Sequence, residues 1–153
     1  MKKQATTVMM LLSGLIAFSA CEGELELEQV VNEQFSGIDR IEVDGGFLEI
    51  RYDGEEGLTE VNLDGLLEST RSGAYRIAFE KVGSTLVVGL DQVGIFGSGN
   101  HRGHIYLKGP EEMNLELESG SGATRVFNVN ALITTASPKI CFQRKSVNYN
   151  INT

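Results

Sequence analysis

The stretch 103–129 constrains the fold most strongly, because turn residues cut it into short alternating runs. Ile105–Lys108 alternates apolar side chains with amphipathic or charged ones, and Asn114–Glu118 repeats this alternation. A period of two puts the apolar side chains of each run on one face of a β-strand. Gly109-Pro110 ends the first run because proline cannot donate to a strand ladder, and the glycines of Ser119–Gly122 suit a tight turn. The stretch therefore predicts strand, turn, strand, turn, strand.

Similar alternating runs lie before and after this stretch. They predict strands over residues 38–43, 47–52, 60–63, 75–80 and 85–90, and a last strand where Val147, Tyr149 and Ile151 alternate with asparagines. Asp44-Gly45-Gly46 predicts a hairpin or a tight corner. Residues 64–70 fit either one helical turn or an irregular edge. Strands that recur about every 8–12 residues with turns between them predict an all-β fold.

The connections narrow this all-β fold to two arrangements. Short strands joined at glycine corners favour a β-helix or solenoid-like stack, in which each rung buries its face only against its neighbours. A β-sandwich is the alternative, because the sequence shows no clean repeat.

The charge of the chain is negative and unevenly distributed. The net charge is −8, and all 21 acidic side chains lie between Glu22 and Glu118. Residues 119–153 carry bases and no acid. Because an acidic body is repelled by a phosphate backbone, we expect no nucleic-acid partner.

The N-terminus is typical of an export signal. Lys2 and Lys3 precede an apolar segment over residues 8–18 that is too short to cross a bilayer as a stable helix. Residues 18–21 resemble the lipobox of bacterial lipoproteins, which implies that Cys21 is acylated and becomes the first mature residue. Cleavage after Ser19 by an ordinary signal peptidase is the alternative. We expect a lipoprotein signal peptide over residues 1–20, lipid attachment and membrane contact through Cys21, and an acidic tether over residues 21–34.

The residues whose side chains could act in catalysis or bind a metal do not form a recognised pattern. His101 and His104, with Asp91 as a third ligand, lack the spacing of a zinc site, and the candidates for calcium lack EF-hand spacing. Those calcium candidates are Asp53, Asp64 and Asp91. We expect no catalytic residue, no metal and no cofactor, and we expect the lone Cys141 to be a packing residue in a strand. The sequence does not identify the ligand-binding residues.

Three segments carry a resemblance to a known family. Residues 35–43, Phe47–Ile50 after a glycine corner, and Leu115–Gly122 together resemble the bacterial family named "putative auto-transporter adhesin, head GIN domain". This resemblance covers about residues 34–129 and implies a secreted, often lipid-anchored envelope protein without catalytic residues. It also implies a right-handed β-helix-like fold, with the solenoid-like domain over residues 35–130.

The end of the chain departs from the family pattern. Members continue through further glycine-cornered rungs, whereas the glycines of this chain stop at Gly122. The tail over residues 131–153 is therefore expected to be atypical, and a truncated or altered member would present an unpaired strand edge.

Together these observations predict a non-enzymatic, lipid-anchored protein of the bacterial cell envelope, at the outer membrane and facing either the periplasm or the surface. We expect it to display a β-rich surface to a glycan, a matrix component or a protein, and the adhesin role follows from the resemblance alone. The alternative is a carbohydrate-active enzyme or a carbohydrate-binding accessory module on a β-helix.

Overall fold

A computed structural model describes residues 23–94, 99–130, 133–136, 140–143 and 149–151. The expected signal peptide and the expected lipid attachment site, Cys21, lie outside these residues, as does part of the tail.

The described residues form twelve β-strands and contain no helix, which confirms the all-β expectation. In chain order the strands are β1 (Glu26–Ser36), β2 (Arg40–Asp44), β3 (Glu49–Glu55), β4 (Glu60–Ser69), β5 (Tyr75–Val82), β6 (Thr85–Gln92), β7 (His101–Pro110), β8 (Asn114–Glu118), β9 (Thr124–Phe127), β10 (Ile133–Ala136), β11 (Ile140–Gln143) and β12 (Tyr149–Ile151). Over these ranges, accordingly, a helix of the length and apolarity needed to span a bilayer is absent.

The strands form two mixed sheets of six strands each. Sheet A has the order β1-β4-β7-β3-β9-β11, and sheet B has the order β12-β10-β8-β2-β6-β5. Antiparallel pairing is confined to β1 with β4, β4 with β7, and β5 with β6, whereas the other neighbours in both sheets pair in parallel. The antiparallel pairs therefore lie at one end of each sheet.

The chain crosses repeatedly from sheet B to sheet A. Strand β2 of sheet B is followed by β3 of sheet A, and the same crossing occurs from β6 to β7, from β8 to β9 and from β10 to β11. The parallel register places apolar residues next to each other in neighbouring strands. Ile41 of β2 is opposite Leu86 of β6 and Leu115 of β8, and Leu115 is opposite Ile133 of β10. All four side chains are buried, so the inner face of sheet B carries an apolar ladder.

One hydrophobic core lies between the two sheets. It includes Ile50, Tyr52, Ile105 and Leu107 from sheet A together with the apolar ladder of sheet B. Two sheets that enclose one core are expected both for a solenoid-like stack and for a β-sandwich.

The glycine corners stack on each other. Asp44-Gly45-Gly46 forms a tight corner and not a hairpin, since it joins β2 of one sheet to β3 of the other. Gly46 has a φ of 54°, a conformation that glycine adopts without steric cost. Its carbonyl oxygen accepts hydrogen bonds from the N–H of Gly120 at 2.8 Å and of Ser121 at 3.1 Å, so the corner between β8 and β9 lies directly on it.

Residues 64–69 belong to an ordinary strand in the structure, neither a helical turn nor an irregular edge, and Thr70 follows it in a bend. Strand β4 runs through Ser69, and its inward positions continue from Leu63 through Gly65 and Leu67. Gly65 occupies an inward position because a side chain there would crowd Ile77 and Val31. Without an apolar side chain at this position, the alternation is hard to see in the sequence.

The tether expected over residues 21–34 overlaps a strand. Glu26–Ser36 pairs with β4 along its whole length, although only Val31 of the strand is buried. Its polar composition suits an edge strand, where charged side chains discourage pairing with another chain.

The tail beyond residue 130 contributes further strands to both sheets. Strand β10 pairs in parallel with β8, β11 with β9, and β12 with β10. The last strand expected around Tyr149 and Ile151 is present as β12. Where it is described, the tail extends the two sheets of the body.

Side chains close the gap between the two edge strands β1 and β5. The amide of Gln29 on β1 accepts a hydrogen bond from the N–H of Ile77 at 2.8 Å and donates one to its carbonyl oxygen at 3.0 Å. Lys81 of β5 donates to the carbonyl oxygen of Ser36 at 2.6 Å. These contacts satisfy backbone groups that an open edge would leave free.

The corner stack predicts a large effect for one glycine substitution. A Cβ at Gly122 would lie 1.9 Å from the carbonyl oxygen of Leu48, so Gly122→Ala must displace the backbone beside Leu48. We expect a loss of about 3 kcal/mol in the free energy of unfolding, measured by urea denaturation. The control is Gly89→Ala in β6, where a Cβ meets nothing within 4 Å and the stability should be unchanged or slightly higher. Equal stabilities of the two variants would contradict the stacking of the corners.

Candidate functional site

The outer face of sheet A carries an organised group of polar and aromatic side chains. In β3 and β7 the inward positions hold the core residues, so the alternate positions face outwards. The parallel register places Glu49 opposite His104, Arg51 opposite Tyr106, and Asp53 opposite Lys108. We call these residues, with Asn62 and Asp64 of β4 and Arg125 and Phe127 of β9, the sheet A face.

Flat side chains form a row across three strands of this face. The rings of His104 and Tyr106 stack with their centroids 3.9 Å apart and 20° between their planes. The guanidinium carbon of Arg51 lies 6.0 Å from the centroid of Tyr106 and 4.8 Å from that of Phe127. Contacts of a guanidinium with aromatic rings are attractive and limit the freedom of the side chains. The row is therefore held in position before any ligand arrives.

The charges of the sheet A face are paired with each other. Arg51 contacts Asp53 at 3.1 Å, Arg125 contacts Glu49 at 2.5 Å, and Lys108 contacts Glu55 at the end of β3. The hydrogen bond with Glu55 raises the pKa of Lys108, which stays cationic. A face with matched cations and carboxylates is close to neutral, in contrast to the acidic chain as a whole.

His104 and Asp64 add a contact between an imidazole and a carboxylate. The Nε2 atom of His104 lies 2.8 Å from a carboxylate oxygen of Asp64. In either charge state of the imidazole, an N–H at Nε2 can donate to this carboxylate. The contact fixes the ring of His104 against Tyr106.

Tyr106 is the centre of the face. Its hydroxyl donates to a carboxylate oxygen of Glu49 at 3.3 Å. Partial burial, and after it the negative charge of Glu49, raises the pKa of Tyr106. The phenol therefore stays protonated at neutral pH and presents one apolar ring and one polar end.

A shallow depression of about 210 Å³ lies beside the ring of Tyr106. Its lining residues are Arg51, Asp53, Asn62, Asp64, Tyr106, Leu107 and Lys108. It combines one aromatic wall with hydrogen-bond donors and acceptors of both charges, which is a composition suited to recognising a small polar group.

The outer face of sheet B is different in character. The register places Glu42 opposite Glu116 and Asp44 opposite Glu118, and Arg40 contacts the first pair at 2.7 and 2.5 Å. Like charges that stand opposite each other on a sheet repel. This face has carboxylates in excess and lacks an aromatic cluster within the described strands.

The structure separates the two histidines that the sequence places close together. His101 faces the interior side of β7 and packs against Phe47 and Tyr75, whereas His104 belongs to the sheet A face. Residues three apart in a strand lie on opposite faces, so the pair cannot share a metal ion. In the part of the chain that the structure describes, three or more metal-ligating side chains do not come together.

His101 has a structural contact with Ser69. Its Nδ1 atom lies 2.8 Å from the hydroxyl oxygen of Ser69, which accepts from the N–H of Arg71 and donates to the carbonyl oxygen of Arg71 at 2.6 Å. Ser69 therefore links the imidazole of His101 to the backbone of Arg71.

Cys141 does not pack in the core, contrary to the expectation from its strand. It is exposed and lies opposite Arg125 in the parallel register of sheet A. An outward position in β11 separates it from the inward-facing His101.

Sequence reasoning named Asp53, Asp64 and His104 only as metal candidates and did not single out Arg51, Tyr106 or Phe127. The alternation of Arg51, Tyr106 and Phe127 with core positions indicates that they face outwards. It does not indicate which residues of other strands lie next to them.

Comparison with known proteins gives weak similarities of fold. A family model that matches the chain was not found, and a curated protein that matches was not found either. A solved structure described as a "putative cell adhesion protein" from Clostridium sporogenes is 14% identical, with a TM-score of 0.40, over 80% of this chain and 68% of its own. "Putative adhesin" structures from Parabacteroides merdae and Parabacteroides distasonis are 14% and 12% identical, with TM-scores of 0.39 and 0.40, over 80% and 81% of this chain. The chain spans about half the length of these two, at 52% and 53%, and the similarities are too weak to assign a family or a function.

The contact between Tyr106 and Glu49 predicts a change in a titration. Glu49→Gln removes the negative charge that raises the pKa of Tyr106, so this pKa should fall, while the contribution of burial stays. An NMR titration of the tyrosine ring resonances between about pH 8 and pH 12 measures it. Glu55→Gln is the matched control, because that carboxylate pairs with Lys108, and it should leave Tyr106 unchanged. A pKa of Tyr106 that is the same in both variants would contradict the geometry of the face.

Proposed function

We propose that this chain is a non-enzymatic, lipid-anchored protein of the bacterial cell envelope that binds a partner through the sheet A face, in an adhesin-like role. The observation that supports the proposal best is the row of His104, Tyr106, Arg51 and Phe127. Aromatic and arginine side chains are the residues that most often dominate binding energy at protein surfaces. The side chains of the row are partly exposed and are held by their contacts with each other. The arginines at the row are paired with carboxylates, Arg51 with Asp53 and Arg125 with Glu49.

We further propose that the two sheets are the sides of a right-handed solenoid-like stack. The four crossings from sheet B to sheet A and the parallel, in-register pairing of their strands support this arrangement. The right hand follows from the family resemblance. The antiparallel strands β1, β4 and β5 then form a cap at one end.

The proposed anchor would hold the cap end near a membrane. Only residues 22–25 separate Cys21 from β1, so an acylated Cys21 leaves little slack between lipid and sheet A. Each buried methylene of an acyl chain contributes about 0.8 kcal/mol, and two or more chains give stable anchoring. The sheet A face would then be displayed beside the membrane at the outer membrane of the cell.

The anchor predicts a difference between the two cysteines of the chain. In cells that incorporate a labelled fatty acid, the wild-type chain should carry the label and sediment with membranes. Cys21→Ser should abolish both, because the acyl chain is attached to the thiol of Cys21. Cys141→Ser is the control and should behave as wild type, since Cys141 is an exposed thiol in β11. Labelled Cys21→Ser protein would contradict the anchor.

The binding face predicts a difference between two arginines. Arg51→Ser removes the centre of the row, and we expect the full-length chain, purified in detergent, to bind mucin-coated surfaces about tenfold more weakly. Arg76→Ser is the matched control. Arg76 pairs with Asp91 at 3.0 Å on the exterior of sheet B, much as Arg51 pairs with Asp53 at 3.1 Å. Surface plasmon resonance measures both, and equal loss in the two variants would contradict binding through the sheet A face.

A further inference from the structure

We infer that the depression beside Tyr106 binds one uncharged sugar unit of a glycan. This inference rests on the proposed function, in which the sheet A face is the binding surface, and it names the class of ligand.

The charges at the depression favour an uncharged ligand. Arg51 and Lys108 contribute two cations, and Asp53 and Asp64 contribute two carboxylates. An anionic group in the depression would approach both carboxylates, and a cationic group would approach both cations. Because the two signs balance, a charged ligand gains no net attraction from the depression, although it still has to give up its water. A neutral group avoids this cost.

The polar atoms at the depression favour a ligand with several hydroxyl groups. Each sugar hydroxyl can donate one hydrogen bond and accept others, as serine and threonine hydroxyls do. The carboxylates of Asp53 and Asp64 accept, Lys108 donates, and the amide of Asn62 does both. Hydrogen bonds in which one partner is charged are roughly twice as strong as neutral ones. A purely apolar ligand would displace water from these groups and would offer no partner to the donor and acceptor positions that their ion pairs leave open.

The shape of the depression fits a small unit with one apolar side. The ring of Tyr106 is held by His104 on one side and by the hydrogen bond of its hydroxyl to Glu49. The C–H groups of a sugar ring can lie against such a wall, because tyrosine has an apolar body and a polar tip. About 210 Å³ is below the usual range of sites for drug-sized ligands, which points to one ring of a longer chain and not to several.

A glycan array with neutral, sialylated and sulfated oligosaccharides tests the inference with the full-length chain in detergent. We expect the wild-type chain to bind neutral oligosaccharides at least about tenfold more strongly than the anionic ones. The double variant Asp53→Asn, Asp64→Asn leaves Arg51 and Lys108 in excess. Its affinity for neutral oligosaccharides should fall about tenfold, and its preference should move towards anionic ones.

The control variant removes two carboxylates from the other sheet. Glu42→Gln combined with Glu118→Gln makes the same change in net charge on the outer face of sheet B and should keep the wild-type pattern. A shift towards anionic glycans in this control would assign the effect to total charge and overturn the inference.

A mucin surface before and after enzymatic removal of its glycans separates the inference from the proposed function. Loss of wild-type binding on the deglycosylated surface is the expected result. If binding persists there and still depends on Arg51, the ligand is a protein, so the sugar inference is wrong and the binding face stands. If no surface distinguishes Arg51→Ser from wild type, both are wrong.

Discussion

The contact between successive corners is the constraint on which the structure depends most. The carbonyl oxygen of Gly46 accepts two N–H groups from the corner over residues 119–122, and Gly122 lies where a Cβ would meet the carbonyl oxygen of Leu48. This corner joins β8 of sheet B to β9 of sheet A. Its contact with the corner at residues 44–46 therefore fixes the register of both strands. A slip of one residue would turn every side chain of a strand to the opposite face. The contact between the corners therefore determines both which side chains enter the core and which form the sheet A face.

The alternation along the chain was sufficient to predict most strands and the all-β class, since Ile105, Leu107, Leu115 and Leu117 are core residues as their spacing indicates. Two segments were misjudged for physical reasons. Gly65 interrupts the apolar pattern of β4 because the space for its side chain is taken by Ile77 and Val31. The charged strand Glu26–Ser36 buries only Val31, with Phe35 partly packed against the core, because an edge strand has less to bury.

The sheet A face could not be predicted from the sequence because its contacts join distant parts of the chain. Alternation placed Arg51 and Tyr106 on outer faces, but no local feature indicates that β3 and β7 are neighbours or that their register brings these two residues opposite each other. Parallel strands need long connections, and here β4, β5 and β6 are inserted between the two partners. Phe127 reaches Arg51 only through a second parallel pair, between β3 and β9.

The distribution of charge explains how an acidic protein can offer one surface for contact. On the outer face of sheet B, Arg40 pairs with Glu42 and Glu116, whereas Asp44 and Glu118 stand opposite each other and keep their water. On the sheet A face, Arg51, Arg125 and Lys108 each have a carboxylate beside them. A ligand that displaces water there covers ion pairs and not isolated charges, so desolvation costs less. The aromatic row lies on this face, where its apolar surface can be covered without leaving a charge unpaired.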